Sequence, residues 1–182
     1  MEVKDFIVIK RNVKYPRIEL KGIPTLILPY GYYANPEEII EKHKYWIEKK
    51  MRFIKEIEEK YSGRKICERT DDKLKEIVLR LVKRYSIKIG VRVNKITFRD
   101  MRSKWGSCNK KGNINFNLKL KYLPYTLIKY VVLHEMAHLI IPNHKKEFWN
   151  YIKNEFKNPE RYEEMLYGYW FLCIKMQDWE GR

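Results

Sequence analysis

The run VVLHEMAHLIIPNHKKEFW, residues 131–149, decides how the rest of this chain is read. Without His134, Glu135 and His138, residues 131–141 are Val, Val, Leu, Met, Ala, Leu, Ile and Ile. A helix apolar on every side is a buried helix. Ionisable groups are costly there unless they are paired or bound to something. A cation is the occupant to which these residue types point.

The spacing agrees with that reading. His134 and His138 are four residues apart, so on a helix they project from one face and can share an ion. Glu135 is turned about 100° from His134, off the ligand face but within reach of a water molecule. That is the arrangement of zinc hydrolases, in which the carboxylate serves as general base. A catalytic zinc takes a third protein ligand. His144 lies six residues past His138, and on an unbroken helix it would be rotated by about 240° and lifted by about 9 Å. The helix therefore has to stop. Pro142 removes a backbone donor and Asn143 tolerates a turn, so the break falls where a third ligand needs it. Glu147 is the alternative third ligand, and a purely structural ion is the alternative use of the site. Structural zinc, however, is usually closed by four protein ligands, often thiolates. His43 sits on an expected helix and reads as a packed or surface side chain. Cys108 reads as a small buried residue before a polar loop.

Upstream, NINFNLKL (113–120) alternates Ile114, Phe116, Leu118 and Leu120 with Asn and Lys, the pattern of a strand with one wet face. This stretch is expected to be a sheet edge along which an extended substrate pairs, with Asn113, Asn115 and Asn117 on its wet face and Arg102 and Trp105 nearby. Oxyanion donors are sought among Arg102, Lys104, Tyr151 and Tyr162. KIGVRVNKITFRD (88–100) reads as a further strand. Pro124 opens the helix that carries the histidines. Another helix is expected from about Lys145 to Phe156, and a last one after Pro159.

Towards the N-terminus, FIVIK, RIEL and TLILPY read as short strands parted by turns near Tyr15-Pro16 and Lys21-Gly22. Asn35-Pro36-Glu37-Glu38 starts a helix, with Asn35 as cap, Pro36 in the first position and Glu38 closing a capping box. Apolar residues at helical spacing carry it to about Lys60. Thr70-Asp71-Asp72 starts a second helix that runs to about Tyr85. The order is strands, two helices, strands, three helices, which is an α+β protein. Residues 1–34 form a β-rich part and residues 35–182 the main domain.

Lys and Arg number 39 against 23 Asp and Glu, a formal net charge of +16, so acidic partners or nucleic acid are reasonable binding targets. The excess is local. Residues 91–125 hold nine basic residues and one acid, Asp100, whereas residues 126–182 hold eight of each sign. Three widely spaced cysteines without a CxxC pair argue against a disulfide scaffold. The opening residues lack a secretory pattern and no run is long enough to span a membrane, so a cytoplasmic location is expected.

The combination of MRSKWGSCNKKGNINFNLKLKYLP with IKYVVLHEMAHLIIPNHKKEFW closely resembles the YgjP-like metallopeptidase family, a relative of the SprT-like zinc peptidases. The resemblance implies a zincin-like metallopeptidase domain with an active-site helix and a small mixed or antiparallel sheet. It implies one zinc ion per chain bound by His134, His138 and His144, with Glu135 as general base and a peptide or protein as substrate. Metzincins share the His-to-His spacing but carry glycine where this chain has Ile141. Two further readings stay open: a metal-dependent hydrolase of other amides or esters, and a basic nucleic-acid-associated protein with a zinc site.

Overall fold

The computed structural model describes residues 2–20, 23–33 and 35–180. Its architecture is α+β, with five α-helices and two three-stranded mixed sheets. The expected turn at Lys21-Gly22 lies outside the described residues. Contacts divide the chain into two compact units, one built on the residues up to Ser62 and the other on Gly63–Gln177. The first helix thus belongs to the first unit.

In the first unit, β1 (Ile7–Arg11) runs parallel and β2 (Arg17–Glu19) antiparallel to the central β3 (Thr25–Pro29). Leu26, Ile27 and Leu28 are all buried, as a central strand covered on both faces requires. α1 (Pro36–Tyr61) begins where Asn35 and Pro36 place it. The Asn35 carboxamide oxygen accepts from the Glu37 backbone N–H at 3.0 Å, and Glu37 rather than Glu38 receives the Asn35 side-chain donor. Ile40, Ile47, Ile54 and Tyr61 recur every seventh residue and are buried, so one stripe of α1 is covered.

The second unit starts with α2 (Asp71–Ile89), capped by Thr70 and stopped at Gly90, whose φ of +74° closes the helix in the left-handed region. α2 therefore takes up Ile87 and Ile89, and the strand expected over 88–100 shrinks to β4 (Lys95–Arg99). β5 (Gly106–Cys108) and β6 (Asn113–Asn117) complete a sheet of order β4-β6-β5, with β6 parallel to β4 and antiparallel to β5. The strand expected at the edge is thus the middle one, paired on both sides.

β6 also ends earlier than its alternation suggests. The Asn117 side chain accepts from the Lys119 backbone N–H and donates to the Met101 and Lys104 carbonyls at 2.8 and 2.7 Å. That local capture turns the chain into a 3-10 turn over Leu118–Tyr122. Lys119, placed on a wet face by the pattern, is instead buried and ion-paired with Asp100.

α3 (Tyr125–Ala137) is the core helix. Leu127, Ile128, Tyr130, Val132, Met136 and Ala137 are fully buried, together with Ile114 and Phe116 of β6 and Leu74, Val78 and Tyr85 of α2. α4 (Lys146–Lys153) and α5 (Pro159–Glu180) follow. Glu155, just past α4, joins three elements: it accepts from Tyr85 at 3.1 Å and is ion-paired with Lys129 of α3 at 2.6 Å and with Lys88 of α2.

Candidate metal centre

α3 ends as a regular helix at Ala137, one turn before Pro142, and the chain tightens. Leu139 and Ile140 donate to carbonyls three residues back, while Ile141 still reaches Ala137 at 2.9 Å. The Asn143 side chain then accepts from the Lys145 N–H at 3.2 Å, which fixes the turn that carries His144. The result is convergence. His144 Nε2 lies 2.9 Å from His134 Nε2 and 3.1 Å from His138 Nε2. The ligand atoms of all three residues lie within 4.8 Å of one another.

The outer nitrogens explain why the inner ones face each other. His138 Nδ1 lies 3.1 Å from the Ile141 carbonyl, which can only accept, so Nδ1 carries the proton and Nε2 presents a lone pair. His134 Nδ1 lies 3.7 Å from Glu163 Oε1, and the same carboxylate oxygen accepts from the Tyr130 hydroxyl at 2.7 Å. Burial, then the neighbouring His138 and His144 rings, hold the His134 imidazole neutral and bring its pKa down to about 3. Burial likewise lowers His138. Phe148, fully buried on α4, packs against all three imidazoles with centroids 4.7–4.9 Å away. Three imidazole nitrogens that meet at one point are a donor set that suits zinc. His144 is exposed, so the cluster opens to solvent on one side.

Glu135 is 7% exposed. Burial pushes its carboxyl up to about 8, with Lys104 opposing the rise and Glu163 adding to it. Its side chain lies against Gly106 of β5, where an added Cβ would sit 2.6 Å from Glu135 Cγ. Among the described residues β5 pairs with β6 alone, so the sheet edge next to Glu135 belongs to β5.

The other expected residues are engaged elsewhere. Asn113 accepts from Asn94 at 2.8 Å, and Asn115 is bonded to Thr97 and to Ser107. Asn117 is buried and holds the loop before β5. Trp105 donates to the Leu166 carbonyl at 3.3 Å and meets Trp170 edge-on, which ties that loop to α5. Arg102 is exposed. Of the oxyanion candidates, Lys104 is the one whose charge acts on Glu135, while Tyr162 stacks on Tyr130. Glu147 is exposed in the first turn of α4, outside the histidine cluster, and His43 is exposed on α1. Burial raises the Cys108 thiol to about 11, so it is no nucleophile near neutral pH.

The sequence pattern did not single out Glu163, Phe148 or Gly106 for these roles. Glu163 is on a different helix, 29 residues from His134, and no spacing rule joins them. Phe148 sits in the first turn of α4, four residues past His144.

Residues 55–168, more than half of the chain, match the YgjP-like metallopeptidase domain. Two solved structures are similar over about half of the chain. The metallopeptidase zymogen of Pyrococcus abyssi abylysin is 20% identical with a TM-score of 0.45, covering 49% of this chain and 90% of that one. The metallopeptidase zymogen of Methanocaldococcus jannaschii jannalysin is 28% identical with a TM-score of 0.41, covering 51% and 90%. No curated protein matches the chain.

Proposed function

Since the chain belongs to the YgjP-like metallopeptidase family, we propose that it cleaves peptide bonds using one zinc ion, with Glu135 as general base. The ion would be held by His134, His138 and His144, whose Nε2 atoms face one another. The observation that carries this reading is the meeting of three Nε2 atoms in a cluster open to solvent, beside a buried glutamate.

When bound, zinc supplies Lewis acidity to a carbonyl and to water, and a positive charge that favours Glu135 as carboxylate. Glu135 takes the proton from the attacking water and returns it to the departing amine, so one carboxyl serves both halves of the hydrolysis. Lys104 supports the ionised form of that carboxyl. The Ile141 carbonyl and Phe148 hold the rings in place, so little rearrangement is needed on loading. An extended substrate adds to β5, the edge strand beside Glu135.

Glu135→Gln is the direct test, because it preserves shape and removes the base. The variant should bind zinc in the same ratio as wild type and fold as stably, yet leave a mixed peptide library uncut where wild type cleaves it. Equal cleavage by the two proteins would overturn the assignment.

A further inference from the structure

We propose that a basic groove beside His138 selects acidic side chains of the substrate, held by Arg92, Lys110 and Lys111. This rests on the peptidase reading and adds the substrate class to it.

The groove has a volume of about 490 Å³. His138 and Pro142 line one part of it, and Arg92 with the turn over residues 109–112 lines another. No acidic residue lines it. Among the described residues, Arg92, Lys110 and Lys111 are exposed and none has a carboxylate partner. The lysines that follow in the chain differ: Lys119, Lys121 and Lys129 are paired with Asp100, Asp71 and Glu155. Three uncompensated cations therefore line the groove where it meets a histidine of the triad.

The turn that presents the lysines is held in one shape. Asn109 Oδ1 accepts from the Lys111 N–H at 2.9 Å and from the Asn113 N–H at 3.1 Å. Gly112 donates to the Asn109 carbonyl at 3.0 Å and accepts from the Asn94 N–H at 2.9 Å. At a φ of +78°, Gly112 takes a conformation that a side chain would strain. Cations on a fixed backbone lose less entropy on binding than cations on a mobile loop. A peptide lying across the triad has flanking side chains within reach of this groove, and carboxylates match its charge. Nucleic acid fits it less well. No Phe, Tyr or Trp lines the groove for bases to stack on, and three cations contact too few phosphates for strong backbone binding.

The test uses the full-length Glu135→Gln protein with zinc and measures fluorescence anisotropy of labelled peptides. The peptides have equal length and differ only in a central Glu-Glu, Gln-Gln or Lys-Lys pair, and a short oligo-dT is the nucleic-acid arm. The Glu-Glu peptide should bind about tenfold more tightly than the Gln-Gln peptide, and Arg92→Gln/Lys110→Gln/Lys111→Gln should erase the difference. Lys42→Gln/Lys65→Gln/Lys83→Gln, equal in charge removed but not lining the groove, should preserve it. Equal binding of Glu-Glu and Gln-Gln peptides overturns the proposal. So does a preference that survives the groove triple variant, or oligo-dT binding more tightly than peptide through the same three residues. The two claims fail separately. Acid preference without any cleavage by wild type sinks only the hydrolytic reading, and cleavage without acid preference sinks only the groove.

Discussion

A methyl group on Gly106 would sit 2.6 Å from Glu135 Cγ and 2.7 Å from Oε1, nearer than real carbon atoms approach. Gly106 has ordinary backbone angles, so what it contributes is space rather than conformational freedom. Gly106→Ala should fold and bind zinc like wild type while losing roughly 10- to 100-fold in peptide cleavage, because the carboxylate must shift by a few tenths of an ångström or more. Unchanged turnover with an intact fold would show that the base has room to spare. Glu163 acts on the other side of the triad, with a carboxylate oxygen facing His134 Nδ1 across 3.7 Å. Replacing such a partner of a ligand histidine typically weakens metal binding by about 10- to 100-fold, so Glu163→Gln should raise the zinc dissociation constant in a chelator competition. An unaltered constant would show that Glu163 does not support the metal site. The HExxH spacing and the helix break before His144 were legible from neighbouring residues. Gly106 and Glu163 were not, since each meets its partner only through the tertiary fold.

Helices α2 and α3 and the turn after α4 meet at Glu155. Burial alone would raise this carboxyl, but hydrogen bonds from Lys129 and Lys88, their charges, and a bond from Tyr85 outweigh it and bring the pKa from 4.5 to about 2. A carboxyl depressed on folding stabilises the native state above its ordinary pKa, and that contribution disappears as pH falls through the folded value. Wild type should therefore exceed Glu155→Gln in unfolding free energy by on the order of 2 kcal/mol above about pH 5. The gap should narrow between pH 4.5 and about 2. Denaturant titrations across that range would reveal it, and a gap independent of pH would mean that the charge is not the source. The helix starts at Asn35-Pro36 and Thr70 were readable because capping chemistry is local. The order β4-β6-β5 was not readable. Alternation tells which face of a strand is dry but not how many neighbours the strand has.

At the scale of the whole molecule, the element order of strands, two helices, strands and three helices follows from hydrophobic period and turn residues alone. The division after Ser62 does not, because α1 carries a buried stripe whichever unit it joins. The family match spans residues 55–168 and covers α2, both flanks of the histidine cluster and the start of α5. No helix among the described residues is long and apolar enough to cross a membrane. Part of the positive charge is neutralised in place, as Lys119 and Lys121 show, while Arg92, Lys110 and Lys111 at the groove beside His138 face no carboxylate. The central claim is that residues from α3 and from the turn before α4 make one zinc site with room for a water molecule. An anomalous difference map from zinc-soaked crystals tests it most directly. A single peak is expected about 2.0–2.1 Å from Nε2 of His134, His138 and His144, with a non-protein fourth ligand. A map with His144 turned away, or with a fourth protein atom closing the ion, would contradict it.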